Sequence, residues 1–418
     1  MKAIAKLLCA IVFCAALSTP AWAQVTGGTV VDAATHAPVP GALLTAASGV
    51  QRADRFGKFT LDPATRTIDA RAPGYLRTHI AVESGKPLTV ALTPFRPKAV
   101  YLSAYGILSP TLREAALSLT RTTEINAFVI DVKDDRGITP YRSTARLATG
   151  ADAHAPTPRP MSDDFPALLA DLHAQHLYLI ARIVVFKDEP LASAHPELAV
   201  RDSAGKPWRD REQLQWVDPF STEVWKHNID LAEEAARMGF DEIQFDYTRF
   251  PDASGLLFSR ANTRENRVAA ITGFLDAARV RLAPYNVFVA ADIFGYVCWN
   301  LDDTAIGQQL ETLGAALDYI SPMLYPSGFT WGLPGCTKPV EDPHQIVARS
   351  LAEAKRRTGL PGVRFRPWLQ AFRDYAFDHR VFDADEIAAQ VTAADDAQTD
   401  GWMLWNPRNQ YDATQLPR

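Results

Sequence analysis

Little in this sequence invites a metal or a cofactor. Its nine histidines are scattered through 418 residues, and none falls in an H-x-H or H-E-x-x-H spacing, so zinc hydrolase chemistry lacks its ligands. G-x-S-x-G is absent, which removes the strand-to-helix elbow of a serine nucleophile. No glycine-rich phosphate turn follows the first strand of the α/β part, so no dinucleotide is expected. Lysine and arginine are spread out under a net charge of −5, and a nucleic-acid footprint needs them clustered. The expected partner is therefore neutral or polar, with no metal and no cofactor.

Long apolar runs are also missing. The one candidate, Leu7 to Leu17, is shorter than the roughly 20 residues that span a bilayer. Lys2 and Lys6 precede it and Pro20, Ala21, Trp22 and Ala23 follow it, the order of a secretory signal. Residues 1–23 are read as that signal, and the mature chain is expected in the periplasm or outside the cell. Of four cysteines, Cys9 and Cys14 fall within this segment. The remaining pair, Cys298 and Cys336, is expected to form a disulfide in an oxidising compartment.

Residues 24–94 alternate as short strands, punctuated by Gly27-Gly28, Pro40-Gly41, Gly57, Pro73-Gly74 and Gly85, with no helical period. This predicts a small all-β sandwich. The stretches GTVVDAATHAPVPGA at 28–42 and DRFGKF at 54–59 resemble the carboxypeptidase-regulatory-like, transthyretin-type module. Pro94 and Pro97 make a short stiff link to the larger C-terminal part of the chain.

From residue 98 to 412, apolar runs alternate with amphipathic stretches, the pattern of a parallel α/β fold. The strands are expected at 99–105, 126–133, 177–186, 241–247, 286–293, 318–324, 364–370 and 401–405. Helices are expected near 110–122, 163–175, 222–238, 262–282, 302–315, 343–358 and 384–397. Eight strands with helices between them predict a (β/α)8 TIM barrel, whose chemistry sits at the C-terminal ends of the strands.

Those ends are acidic. Alternation turns Asp131 and Lys133 inward on strand two, Gln244 and Asp246 on strand four, and Asp292 on strand five. Lys133, Asp134, Arg182, Arg249, Tyr325, Gln370, Trp405 and Asn406 are expected around them as substrate contacts, with Trp299 and Trp331 as further stacking surfaces. Two carboxylates on adjacent strands suit glycoside hydrolysis, in which one acid protonates the leaving oxygen and the other attacks or activates water. Arg249 is expected to hold Asp246 ionised, whereas the apolar setting of Asp292 favours the protonated form of a general acid. The two roles could be exchanged, and Asp131 is the reserve acid or a ligand for sugar hydroxyls. A non-catalytic glycan-binding barrel is the alternative reading.

NAFVIDVKDD at 126–135, IARIVVFKD at 180–188, GFDEIQFDYTRFP at 239–251, ADIFG at 291–295 and SPMLYP at 321–326 together resemble a glycoside hydrolase family first described as a bacterial domain of unknown function. The resemblance implies a TIM barrel acting on a polysaccharide or oligosaccharide, distantly similar to α-amylase-like barrels. Those place the nucleophile on strand four and the acid on strand five. This chain departs from them with Asp292 in place of Glu and Gln370 in place of Asp. It also carries WLQAF at 368–372, where Ala371 replaces the family's Asp. Asp374 is the acid that a loop movement would bring to that position.

Overall fold

The computed structural model describes residues 26–418, except 84, 85, 158 and 160; the expected signal segment lies outside them. Seven short strands come first: β1 (Thr26–Asp32), β2 (Leu43–Ala46), β3 (Gly49–Arg52), β4 (Lys58–Leu61), β5 (Thr67–Arg71), β6 (Thr78–Ala81) and β7 (Leu88–Leu92). They form a three-stranded sheet ordered β4-β1-β7 and a four-stranded sheet ordered β3-β2-β5-β6. The alternating residues Val30, Leu44, Phe59, Ile68 and Val90 supply their shared core.

Eight parallel strands then close into a barrel: β8 (Lys98–Leu102), β9 (Ala127–Lys133), β10 (Tyr178–Val184), β11 (Glu242–Asp246), β12 (Phe288–Phe294), β13 (Tyr319–Met323), β14 (Trp368–Gln370) and β15 (Trp402–Trp405). The expected TIM barrel is the observed one. Closure between β15 and β8 depends on Gly401: its φ is +71°, and a Cβ there would lie 1.8 Å from the Pro97 carbonyl oxygen. The same carbonyl accepts the Trp402 amide at 3.0 Å, so only glycine lets the last strand come this close.

The helix expected over 302–315 shrinks to Leu310–Leu313. Thr304, Ala305 and Gly307 have positive φ, and Asp303 accepts the amides of Ala305 and Gly307 while pairing with Arg267. A side chain that satisfies the backbone in this way competes with the helix.

The barrel has a floor. Arg366, fully buried, pairs with Glu242 at 2.5 Å and Asp400 at 2.7 Å and lies 4.1 Å from the centre of the Tyr319 ring. The small sheets dock at this end: the Gly74 amide donates to the Tyr319 hydroxyl at 3.1 Å, and Arg77 pairs with Asp241 at 2.9 Å. The opposite end, where the strands terminate, stays open.

The expected disulfide is absent, and Cys298 and Cys336 are both free thiols. Cys298 is buried in the apolar core, where desolvation pushes its thiol up to about 12. Cys336 sits half-buried in a tight turn closed by its own reciprocal backbone bonds with Leu333. Each is held by packing of its own.

Candidate active site

The site grows from register. Phe245 on β11 pairs with Ala291 on β12, so the next residues, Asp246 and Asp292, stand level on neighbouring strands and face inward. Ile243, Phe245 and Ala291 belong to the core beneath the helices, which is the alternation that aims the two acids at the mouth.

Arg182 of β10 organises the centre. Its Nε and Nη2 donate to Asp246 Oδ2 at 3.0 and 2.5 Å, and its Nη1 donates to Asp131 Oδ1 at 2.6 Å. The Tyr101 hydroxyl donates to the other Asp131 oxygen. Burial works against the charge on Arg182, but Asp131 and Asp246 outweigh it and hold the guanidinium protonated far above its ordinary range. Burial also raises Asp131, with Arg182 and Tyr101 opposing.

Asp292 is treated differently. It is 1% exposed; Oδ1 accepts the Trp368 indole N–H at 2.8 Å, and Oδ2 has no partner. Burial first, then the neighbouring charge of Asp246, lifts its pKa well above the ordinary carboxylate range. One inward acid thus carries a direct cation and the other does not, the separation of environments that divides acid from base.

The mouth is a cleft with two lobes. One, about 250 Å³, is lined by Asp246, Asp292, Arg249, Tyr325 and Trp368. The second, about 580 Å³, is lined by Tyr101, Asp131, Asp134 and Asp135. Arg182, Tyr247 and Trp405 border both. Asp134 is half-buried, and burial followed by the charge of Asp131 raises its pKa to about 7. Tyr247, directly after Asp246, has φ +50°, a strained geometry of the kind that collects at functional sites.

Several expected contacts sit elsewhere. Lys133 is not in the mouth. Arg182 pairs with Asp131 but Ile183 pairs with Lys133, so β9 carries a bulge at Val132. The extra residue reverses the alternation beyond it. Lys133 therefore points to the helical shell and bonds Asp188 at 2.6 Å and Asn228 at 2.7 Å. Gln370 is fully buried and holds Ser327 and the Phe372 carbonyl. Asn406 spans the carbonyls of Ala371 and Gln410.

Asp374 is locked in its own loop. It accepts the Ser327 hydroxyl and the amides of Ala376, Phe377, Asp378 and His379. These bonds outweigh burial and hold its pKa down at about 2, and they keep it in its loop, outside both lobes of the mouth. The cation on Asp246 is Arg182, while Arg249 lies 4.8 to 4.9 Å from the centres of the Trp216, Tyr247 and Phe294 rings. Trp299 donates to Ser350 and packs on the core, and Trp331, 90% exposed, lines neither lobe.

Tyr101 and Trp368 escape a search for acids. Both face inward by strand alternation, and Tyr101 stacks on Trp405 with centroids 3.9 Å apart.

Residues 99–411 match the family described as "Putative glycosyl hydrolase domain". The chain belongs to that family. Among solved structures, this glycosyl hydrolase family member resembles the PgaB (BpsB) glycoside hydrolase domain from Bordetella bronchiseptica, with 16% identity and a TM-score of 0.56 over 77% of this chain and 97% of that one. A β-galactosidase from the psychrophilic Marinomonas ef1 shares 11% identity with a TM-score of 0.52, over 76% and 58% of the two chains. A hypothetical protein from Ruminiclostridium thermocellum ATCC 27405 is 36% identical, over 46% of this chain and 96% of that one, with a TM-score of 0.40. The first two likenesses place the hydrolase among TIM barrels by fold. No curated protein matches it.

Proposed function

We propose that this enzyme hydrolyses a glycosidic bond of a cell-envelope or extracellular polysaccharide, with Asp292 as the acid and Asp246 as the nucleophile. The observation that carries the reading is the level pair itself: two inward aspartates on adjacent strands, one bound to Arg182, the other buried with Oδ2 unpartnered. Level positions on neighbouring strands, whose backbones lie about 4.8 Å apart, allow two carboxyl groups to approach within the roughly 5 to 5.5 Å that retaining enzymes use.

In the first step Asp292 gives its proton to the glycosidic oxygen as the C1–O bond breaks, and an Asp246 oxygen bonds to C1. Asp292, now a carboxylate, then takes a proton from water as that water attacks C1 and releases Asp246. Trp405 and Tyr325, both half-buried, offer aromatic surface for sugar faces along the same lobe. The charged, apolar and small-residue order of residues 1–23 supports export, and with it the envelope or exterior as the place of action.

The test begins with a panel of bacterial and plant polysaccharides to find a substrate. Azide rescue then separates the roles: Asp246→Ala with azide should yield a glycosyl azide of inverted configuration, and Asp292→Ala one of retained configuration. Full activity in Asp246→Asn would reject the assignment.

A further inference from the structure

A second built cavity lies at the other end of the barrel, where the small sheets meet its floor. It encloses about 440 Å³ and is lined by four arginines and a single carboxylate. Arg52 and Arg71 come from the strands β3 and β5, Arg279 and Arg364 from the barrel, so each side contributes two cations. None of the four pairs with a carboxylate among the described residues. Arg52 donates to the Gly41 carbonyl, Arg279 to that of Ala315, and Arg364 to those of Asp318, Gly314 and Leu317.

Arg71 is 2% exposed; its Nη1 donates to Asn286 at 3.2 Å, and its buried Nε donates to nothing. The one acid, Asp318, accepts the Val289 amide at 3.0 Å. Burial lowers the pKa values of Arg52, Arg71 and Arg364; Asp318 opposes it, and repulsion from neighbouring arginines adds to the lowering. Arg71 is the buried member, and leaving its guanidinium without a carboxylate is costly unless an anion joins it; the exposed Arg52 and half-buried Arg279 and Arg364 would add to the attraction.

We propose that this cavity is an oxyanion site that takes a phosphate group, free or esterified to a sugar, and that the bound anion ties the small sheets to the barrel. Arginine suits this ligand because its planar fork donates paired hydrogen bonds to phosphate oxygens. The site is remote from Asp246 and Asp292, and the proposal stands whether or not they cleave a glycan.

The experiment titrates the full chain by calorimetry with inorganic phosphate and, separately, with glucose 6-phosphate, at ionic strength held constant with sodium chloride. Saturable one-to-one binding is expected, with a rise in melting temperature. Affinity should fall at least ten-fold in Arg52→Gln and in Arg279→Gln, whose side chains are exposed or half-buried and whose folding circular dichroism can verify. It should be unchanged in Asp246→Asn. Tighter binding of glucose 6-phosphate would assign the site to a phosphorylated glycan, and binding of inorganic phosphate alone to the free ion. No saturable binding of either probe, or equal affinity in the two arginine variants, would overturn the proposal.

Discussion

Where Asp292 sits favours its protonated form. The unfolded carboxyl titrates near its ordinary value and the folded one well above it. Between those two pH values the folded chain holds a proton that the unfolded chain has released. Its contribution to stability is therefore present at low pH and lost as pH climbs through that window, with a slope of at most about 1.4 kcal/mol per pH unit for one group. Melting curves from pH 4 to 9 should show this decline in the parent protein and a flatter profile in Asp292→Asn. The same ionisation should form the alkaline limb of kcat/KM once a substrate is found.

Arg182 carries the opposite burden, since two buried carboxylates depend on it. Arg182→Met should cost about 3 to 5 kcal/mol in urea unfolding, because it strands both of them. Activity should fall by at least about 100-fold, since Asp246 would lose the two hydrogen bonds that orient its carboxylate.

Among the elements, β9 shows how one extra residue redirects chemistry. Asp131 faces the cleft and Lys133, two residues on, faces the shell, where it neutralises Asp188 beside Arg146 and His227. Lys133→Met should lower stability by about 3 to 5 kcal/mol while leaving the pH profile of catalysis in place; a shifted profile would put Lys133 back in the site. Gly401→Ala should be at least as damaging, because its Cβ would overlap the Pro97 carbonyl, and lowered thermal stability of the purified variant would check it.

The order of strands, the long helices and the inward aim of Asp246 and Asp292 were legible in the sequence, since all follow from periodicity. The bulge at Val132 was not, because it depends on how β9 pairs with β10 and leaves the hydrophobic pattern of AFVIDVK intact. Gln370 and Asn406 stand at strand ends, but their hydrogen bonds turn them into the loops; Asp374 lies beyond β14, where five bonds hold it in its own loop. Tyr101 and Trp368 were not legible because a buried aromatic within an apolar strand reads the same whether it packs the core or holds a catalytic acid.

On the scale of the whole molecule, the two ends of the barrel have different work. Holding the fold together at the docked end falls to the buried triad of Arg366, Glu242 and Asp400, and to contacts such as Arg77 with Asp241. Arg77→Ala should loosen the small sheets without touching the cleft. Hydrogen exchange should then rise in β5 and β6 and remain unchanged around Asp246.

The triad also decides how matter moves through the enzyme. With the lower end filled by interlocked charges, the two lobes at the strand ends are the entrance that sugar, water and protons would share. A cleaved fragment lingering over Asp292 would bar the water that must attack next and return its proton, so departure of the first fragment would gate the second step.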